Sequence, residues 1–360
     1  MKLVLIGDGQ SPHLLKWACA LAPLVDLYAA SSRGFLPGFD TVLPASKRLA
    51  LDTSPAFEGG NAALLLSLPR LGAWLSRIDA DWLHAHYLSS HGSLAWLARG
   101  LWRLRAGLIG SAWGSDILVT PERSLWLRAL TRRVLRACDL CTSDSQHMAA
   151  RMAELGAGEV MTFPFGLEQL PPAPQADAAN AQRFFANRGL EPIYAPQRVL
   201  ATFASIARDW PAAELVVSND GSLLPALQAQ AVALGLGARV TFVGRLDAEA
   251  MVSQYRRARW YFSLPVSDSV SVSVLEALAH GCIPLLSDLP ANRELVRDGD
   301  NGVIVADGGS LGASQLEPLA ARAQAIADAN HAWVAEHALF APAVERFVAR
   351  LQELHPQRCR

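Results

Sequence analysis

The stretch Ser263-Leu264-Pro265-Val266-Ser267-Asp268-Ser269-Val270-Ser271-Val272-Ser273-Val274-Leu275-Glu276-Ala277-Leu278-Ala279-His280-Gly281 decides the reading of this chain. A short apolar strand runs into a serine-rich turn and the turn opens a helix. A glycine closes that helix, as befits the left-handed conformation common at helix C-termini. Amide hydrogens at a helix start, with the positive end of the helix dipole, suit a phosphate. The amides around Ser271, Val272 and Ser273 meet that description, and Ser269, Ser271 and Ser273 add hydroxyl donors without bulk. Asp268 before the helix and Glu276 within it are unsuited to phosphate, because like charges repel. They suit sugar hydroxyls on either side of a diphosphate. The plain alternative is a surface turn with a capping serine and two solvated acids, and one serine-rich helix start alone would not exclude it.

Outward from this stretch, short apolar runs alternate with helical periodicity, the pattern of parallel βαβ units. Strands are expected at Leu3–Ile6, Val25–Ala29, Trp82–His86, Gly107–Ala112, Leu140–Ser143 and Val160–Phe163. A helix is expected to begin near Pro121-Glu122, with proline in its first turn. The proline-rich stretch Leu170-Pro171-Pro172-Ala173-Pro174 can continue neither a helix nor a central strand and reads as a linker. A second series follows, with strands at Leu215–Ser218, Val240–Val243, Trp260–Leu264, Ile283–Leu286 and Val303–Val305. Its helices are expected near 197–209, 223–235, 247–257 and 271–280, and an amphipathic helix opens at Phe340. The expected organisation is a Rossmann-like domain over 1–168, a linker over 169–182 and a second such domain over 183–335. A C-terminal helix over 336–360 is expected to pack back toward the first domain. Two doubly wound α/β domains of this kind place a ligand cleft at the carboxyl ends of their strands.

Composition narrows the function classes. The chain has 360 residues, 51% hydrophobic and 18% charged, with a formal net charge of −1, which suits a folded α/β protein and gives no global footprint for nucleic acid. The five cysteines are scattered, which favours a reducing compartment over a disulfide framework. Cys138 and Cys141 form a lone C-x-x-C with no second ligand pair, and read as buried thiols at a helix-to-strand junction. The apolar run at the N-terminus is too short for a signal segment, and none approaches a membrane span. A cytoplasmic location is therefore expected. Gly7-Asp8-Gly9-Gln10-Ser11-Pro12 has proline where a dinucleotide fingerprint needs its third glycine, which argues against a nicotinamide cofactor.

The segment from Ser263 to Val305 resembles the donor-binding region of family 4 retaining glycosyltransferases of the GT-B fold, whose hallmark is two glutamates separated by seven residues. Asp268 and Glu276 keep that spacing with the first acid shortened. Gly281-Cys282-Ile283-Pro284-Leu285-Leu286-Ser287-Asp288-Leu289-Pro290, Arg293-Glu294-Leu295-Val296 and Asp298-Gly299-Asp300-Asn301-Gly302 extend the resemblance. It implies that Glu276 binds the donor ribose, Asp268 a hydroxyl of the transferred sugar, and the amides near Ser271–Ser273 the diphosphate. Asn187-Arg188-Gly189-Leu190-Glu191-Pro192-Ile193-Tyr194 resembles the family's arginine-bearing loop, and Arg188 would grip the leaving diphosphate with a bidentate, permanent charge. The family usually carries lysine five residues later, where Ile193 stands. Arg245 and Arg198 are the candidate substitutes. Asn219-Asp220-Gly221-Ser222 occupies the place of the family's Gly-Asp-Gly turn with its first glycine replaced, and reads either as an approach to the nucleotide or as an ordinary turn.

In the first domain, His84-Ala85-His86-Tyr87 and Trp113-Gly114-Ser115-Asp116 each end a strand. Family members resemble the chain at both places, often with histidine where Trp113 stands. His86 and Asp116 are thus acceptor-side candidates for the reaction, with Gly9 and Trp113 lining the same side. From Leu101 to Arg136, Trp102, Arg103, Arg105, Arg123, Trp126, Arg128, Arg132, Arg133 and Arg136 interleave with large apolar residues. That pattern suits an anionic membrane surface, or an ordinary amphipathic helix with solvated arginines. The resemblance implies metal-independent, retaining transfer from a UDP- or GDP-sugar to a saccharide, often lipid-linked, with no cofactor beyond that substrate. A nucleotide-sugar epimerase on the same fold and a non-catalytic nucleotide-sugar-binding partner are the alternatives.

Overall fold

The computed structural model describes residues 1–53 and 62–358. They form two compact units, Met1–Phe163 with Phe340–Arg360, and Pro164–Leu339.

Among its described residues the first unit holds seven strands: β1 (Lys2–Gly7), β2 (Asp26–Ser31), β3 (Arg48–Ala50), β4 (Trp82–His86), β5 (Gly107–Ser111), β6 (Leu140–Ser143) and β7 (Val160–Thr162). Their order is β3-β2-β1-β4-β5-β6-β7 and every pairing is parallel. The direction of winding reverses between β1 and β4, so the chain leaves these neighbours in opposite directions and a crevice opens beyond their carboxyl ends. Strand alternation puts Val4, Ile6, Leu83 and Ala85 on a face packed by Leu71, Leu75 and Leu94. The opposite face of β4 carries His84 and His86, both buried. Trp17, from helix Pro12–Leu21, meets their rings edge-on at 4.8 and 5.5 Å, and meets Phe340 and Phe347 at 5.1 and 5.3 Å. The C-terminal helix Phe340–Arg358 is thereby built into this unit, and Arg350 adds a paired contact to Glu159 at 2.7 and 2.8 Å. Removing an indole so enclosed typically costs on the order of 3–5 kcal/mol.

The second unit holds β8 (Arg183–Ala186), β9 (Glu214–Ser218), β10 (Val240–Gly244), β11 (Trp260–Ser263), β12 (Ile283–Ser287) and β13 (Val303–Val305). The order is β10-β9-β8-β11-β12-β13, again all parallel. Its winding reverses between β8 and β11. The proline-rich stretch is not a free tether, because Pro171 and Pro174 accept hydrogen bonds from His331 and Gln324 of helix Ala323–His337, at 2.9 and 3.1 Å. The chain leaves the unit beside its entry, with Leu167 and Leu339 bridged.

Three local expectations need correction. β3 and β8 are absent from the expected strands: β3 is a three-residue edge with no apolar run, and β8 is only Arg-Phe-Phe-Ala. The helix expected from Pro121 is interrupted. A short turn of helix, Thr120–Arg123, ends at extended Ser124, whose hydroxyl accepts from the Leu127 amide at 3.2 Å and starts Leu125–Ala137 afresh, as N-cap serines do. Of the C-x-x-C pair, Cys141 is buried but Cys138 only partly so, and both are free thiols. Among the described residues no helix is long and apolar enough to cross a membrane.

Candidate functional site

The reversal between β8 and β11 brings together residues 80 and more apart in sequence. Arg188 follows β8 by two residues, Asp268 follows β11 by five, and Ser271 is the N-cap of helix Val272–Ala279. The Arg188 guanidinium reaches Asp268 Oδ2 with Nη2 at 2.6 Å and donates with Nη1 to Ser271 Oγ and, at 3.3 Å, to Ser273 Oγ. Its Cζ lies 4.5 Å from the centroid of the Tyr194 ring, a cation–π contact. Ser271 does not cap its helix with its own hydroxyl. That hydroxyl serves Arg188, and the first amide of the helix to bond backward is Val274, to Ser271 O at 3.0 Å. The start of the helix therefore presents an arginine, two serine hydroxyls and its own first-turn amides in one place, a cradle suited to an anion.

The Arg188 and Asp268 side chains are 17% and 22% exposed. Burial pushes the Asp268 carboxyl up, while Arg188 and the Ser269 amide pull it down without fully offsetting that rise. Burial works against the charge of Arg188, yet Asp268 and the surrounding tyrosine hydroxyls hold its pKa above the usual arginine value. Glu276, one turn into the helix, accepts from the Tyr255 hydroxyl at 2.8 Å.

The turn after β9 is laced to the Arg188 loop. Asn219 takes a left-handed conformation, with φ of 85°, and its amide nitrogen reaches Asn187 O at 3.4 Å. Leu190 N donates to Asp220 O at 2.9 Å, and Ser222 donates twice to Glu191, at 2.9 and 2.5 Å. Gly221 lies so close that a Cβ there would sit 2.4 Å from Leu190 O. Neither candidate substitute cation joins the Arg188 cluster: Arg245 pairs with Asp220 at 2.8 Å and Arg198 with Asp307 at 3.3 Å. Ile193 is 42% exposed, and its carbonyl accepts from the Val266 amide at 3.0 Å.

The acceptor-side candidates all lie in the first unit, around the carboxyl ends of β1, β4 and β5. Gly9 N donates to Ser31 Oγ at 2.7 Å, and a Cβ at Gly9 would strike Gly34 O and the Phe35 ring at 2.6 Å. Beside it, Asp8 pairs with Arg33 at 3.1 Å. His86 Nδ1 accepts from the Trp113 indole at 3.2 Å, and Trp113 is further flanked by His13 and Tyr87. Asp116 is 1% exposed and spends both carboxylate oxygens on the chain, Oδ1 on the Trp113 amide at 2.9 Å and Oδ2 on the Leu88 amide at 2.8 Å. It positions the Trp113 loop against the π-helical turn Tyr87–Gly92. Burial pushes its carboxyl up to about 6 against the pull of those amides.

Sequence reasoning missed several partners here. His84 Nε2, Ser111 Oγ and Thr142 Oγ1 form a buried chain at 2.6 Å per step. Burial takes His84 down to about 3 and His91 to about 4, and burial together with its histidine neighbours holds His86 well below the usual imidazole value. The imidazoles are neutral at pH 7. The signal for His91 was weak, a histidine inside an irregular turn. Among the described residues, no group of three or more His, Cys, Asp or Glu side chains is placed to hold a metal ion.

Comparison with known proteins gives the class. The structure of HepE from Anabaena in complex with UDP superposes with a TM-score of 0.77 over 98% of this chain and 100% of HepE, at 15% identity, so the fold is that of the GT-B glycosyltransferases. Two family models match, described as Glycosyl transferases group 1 over residues 181–314 and Glycosyl transferase 4-like over 2–145. The alpha-monoglucosyldiacylglycerol synthase of Streptococcus pneumoniae is 22% identical over 94% of this chain and 74% of its own length. The GDP-mannose:cellobiosyl-diphosphopolyprenol alpha-mannosyltransferase of Komagataeibacter xylinus is 27% identical over 70% of this chain and 65% of its own length. The chain belongs to the group 1, family 4-like glycosyltransferases.

Proposed function

We propose that this glycosyltransferase is a retaining, metal-independent hexosyltransferase that moves a sugar from a UDP- or GDP-sugar to a hydroxyl of a saccharide acceptor. The observation that carries the reading is the Arg188–Asp268–Ser271–Ser273 cluster at the start of helix Val272–Ala279. It joins an anion cradle to an acid suited to sugar hydroxyls. In this reading Arg188 and the helix start stabilise the charge that develops on the departing diphosphate. Glu276 takes a ribose hydroxyl and Asp268 a hydroxyl of the transferred sugar. A departing phosphate oxygen helps take the acceptor proton on the same face, so no side-chain nucleophile is required. On the acceptor side, His86 and Trp113 offer a neutral imidazole and an indole, and Asp116 holds the loop that carries Trp113.

A lipid-linked acceptor in bacterial surface polysaccharide or glycoconjugate synthesis is part of this proposal. The names of the two relatives point that way, one to a diacylglycerol glycolipid and the other to a GDP-mannose donor with a diphosphopolyprenol acceptor. So does the exposed face of helix Leu125–Ala137, where Leu125 and Trp126 are 85% and 70% exposed beside solvent-facing Arg132, Arg133 and Arg136. We place the protein in the cytoplasm, peripherally on the inner face of the membrane. One observation favours a second reading, a nucleotide-sugar-binding partner without turnover: Ile193 supplies no second cation, and Arg188 is already paired with an acid.

A panel of UDP- and GDP-sugars followed by thermal shift tests the reading. A matched donor at a hundred times its Kd should stabilise the fold by about 2.7 kcal/mol. The same donor should then yield free nucleoside diphosphate only when a saccharide acceptor is added. Diphosphate or an altered sugar appearing without acceptor would indicate an epimerase, and binding without turnover across many acceptors would indicate the partner protein. No shift with any nucleotide sugar would refute the proposal.

A further inference from the structure

Glu276 does not stand alone in its unit. Asn187, the residue before Arg188, is 8% exposed and bonded on both sides of its amide. Its Oδ1 accepts from the Tyr261 hydroxyl at 2.6 Å, and its Nδ2 donates to the Tyr255 hydroxyl oxygen at 2.7 Å. Each phenol has a single proton to give. Tyr261 spends its proton on Asn187. Tyr255, accepting from Asn187, has its own left for Glu276 Oε2 at 2.8 Å, with Ser273 O a more distant acceptor at 3.2 Å. The series therefore has one direction, from Tyr261 through Asn187 and Tyr255 to the carboxylate. Both tyrosines are buried, at 1% and 0% exposure, and the Tyr255 ring is stacked on His280 at 5.6 Å and set edge-on to Phe185 at 5.2 Å. A phenylalanine would fill the same space, so packing alone does not account for the hydroxyl.

We infer that Tyr255 is a positioning residue that fixes the Glu276 carboxylate for a ribose hydroxyl and, through Asn187, ties it to the loop carrying Arg188. The carboxylate that takes the ribose is then held from the loop that carries Arg188, while Arg188 itself is placed independently by Asp268, Ser271 and Ser273. This rests on the reading in which Glu276 takes the ribose. The hydroxyl keeps its proton, because burial and the neighbouring Tyr261 and Glu276 raise its pKa well above the usual phenol value. The series would otherwise end on two facing anions. A hydrogen bond to a charged acceptor contributes about 1.5–3 kcal/mol, so a Glu276 freed from it should lose about tenfold or more of its selectivity.

The test is calorimetric binding of UDP and GDP, each with its 2′-deoxy and 3′-deoxy forms, to wild type, Glu276→Ala, Tyr255→Phe and Tyr261→Phe, with thermal melts confirming the fold of each. The wild type should prefer a ribonucleotide over one deoxy form by about tenfold or more. Glu276→Ala should abolish that preference and Tyr255→Phe should remove most of it, leaving affinity for the deoxy form within about twofold of wild type. Tyr261→Phe, one bond further back, should act in the same direction and more weakly. A purely structural tyrosine would weaken ribo and deoxy forms alike. Preference lost in Glu276→Ala but kept in Tyr255→Phe would overturn this inference alone, whereas preference surviving Glu276→Ala would overturn the ribose reading and this inference with it.

Discussion

Arg188→Ala is the perturbation with the largest consequence. The guanidinium makes a 2.6 Å contact to Asp268 and donates to Ser271 and Ser273, and it lies over the Tyr194 ring at 4.5 Å. Its attraction to one carboxylate at this range is on the order of 5 kcal/mol at an effective dielectric of 20, before desolvation is subtracted. A diphosphate carries more charge than Asp268 and can draw Arg188 away from it. Removing one preorganised donor aimed at developing charge typically costs about 10²–10³-fold in turnover, and no second cation stands at residue 193 to blunt the loss. Arg188→Lys should recover little, because a point charge cannot hold Asp268 on one side and two serines on the other. Stability should fall by about 1–3 kcal/mol, since the pair is partly exposed. In the variant, the buried Asp268 loses the charge that pulled its pKa down. A carboxyl whose folded pKa is raised favours the fold below its unfolded value and loses that contribution as pH rises, so the destabilisation should be larger at pH 8 than at pH 5. The assay is acceptor-dependent release of nucleoside diphosphate at saturating donor, with melts at both pH values. Turnover within threefold of wild type in a folded Arg188→Ala protein would refute the reasoning.

Acid should unfold this protein early. His84 and His91, depressed to about 3 and about 4, are neutral in the fold and protonate on unfolding. Their contribution is complete above pH 6.5 and is lost as pH falls toward those values. Asp116, raised to about 6, has the opposite sign, being favourable below about pH 4 and lost as pH rises through 6. Histidines outnumber it, so the net loss between pH 7 and pH 5 should be on the order of 3 kcal/mol, read as a lower urea midpoint; a midpoint unchanged or raised at pH 5 would contradict this. Separately, replacing Arg132, Arg133 and Arg136 with glutamine and Trp126 with serine should lower affinity for vesicles rich in anionic lipid by about 100-fold or more, at about 1 kcal/mol per arginine. Co-sedimentation would measure it, and unchanged binding would remove the membrane reading.

Much of the fold could be read from the residues because its central strands are buried on both faces and so carry few charged residues, even where neutral polar ones such as His84, His86, Thr142 and Ser143 stand among the apolar ones. Trp82–His86 and Leu140–Ser143 are buried at every position, and the expected bounds coincide with theirs. The short edge strand Arg48–Ala50 has only half-buried residues and carries no such signature. At the site, Arg188, Asp268 and the serines could be picked out by residue type, but their ion pair spans 80 residues and depends on which strands become neighbours. Tyr255 and Tyr261 escaped notice because a buried tyrosine looks like core until its hydroxyl finds a partner. Asp116 shows the converse: a carboxylate at a strand end suggests contact with substrate, yet backbone amides take both its oxygens.

The shortened acid and the missing lysine bear on each other through charge. Around the start of helix Val272–Ala279 stand the cation Arg188 and the acids Asp268 and Glu276, and the cation is engaged by Asp268. In the proposed reading, a diphosphate bound there would meet a site that is net negative in side-chain charge. Neutral donors must therefore supply a larger share of its stabilisation, and the turn is rich in them. Ser269, Ser271 and Ser273 crowd the helix start, and the two last share Arg188 with hydroxyls 2.8 Å apart. A hydroxyl or amide donor to an anion makes a charge-assisted hydrogen bond, worth about 1.5–3 kcal/mol. Ser269 and Ser271 are 4% and 6% exposed, so both are largely removed from water. Under this balance the serines cannot be exchanged for alanine without loss, and a cation restored at residue 193 raises affinity most when the serines have been removed.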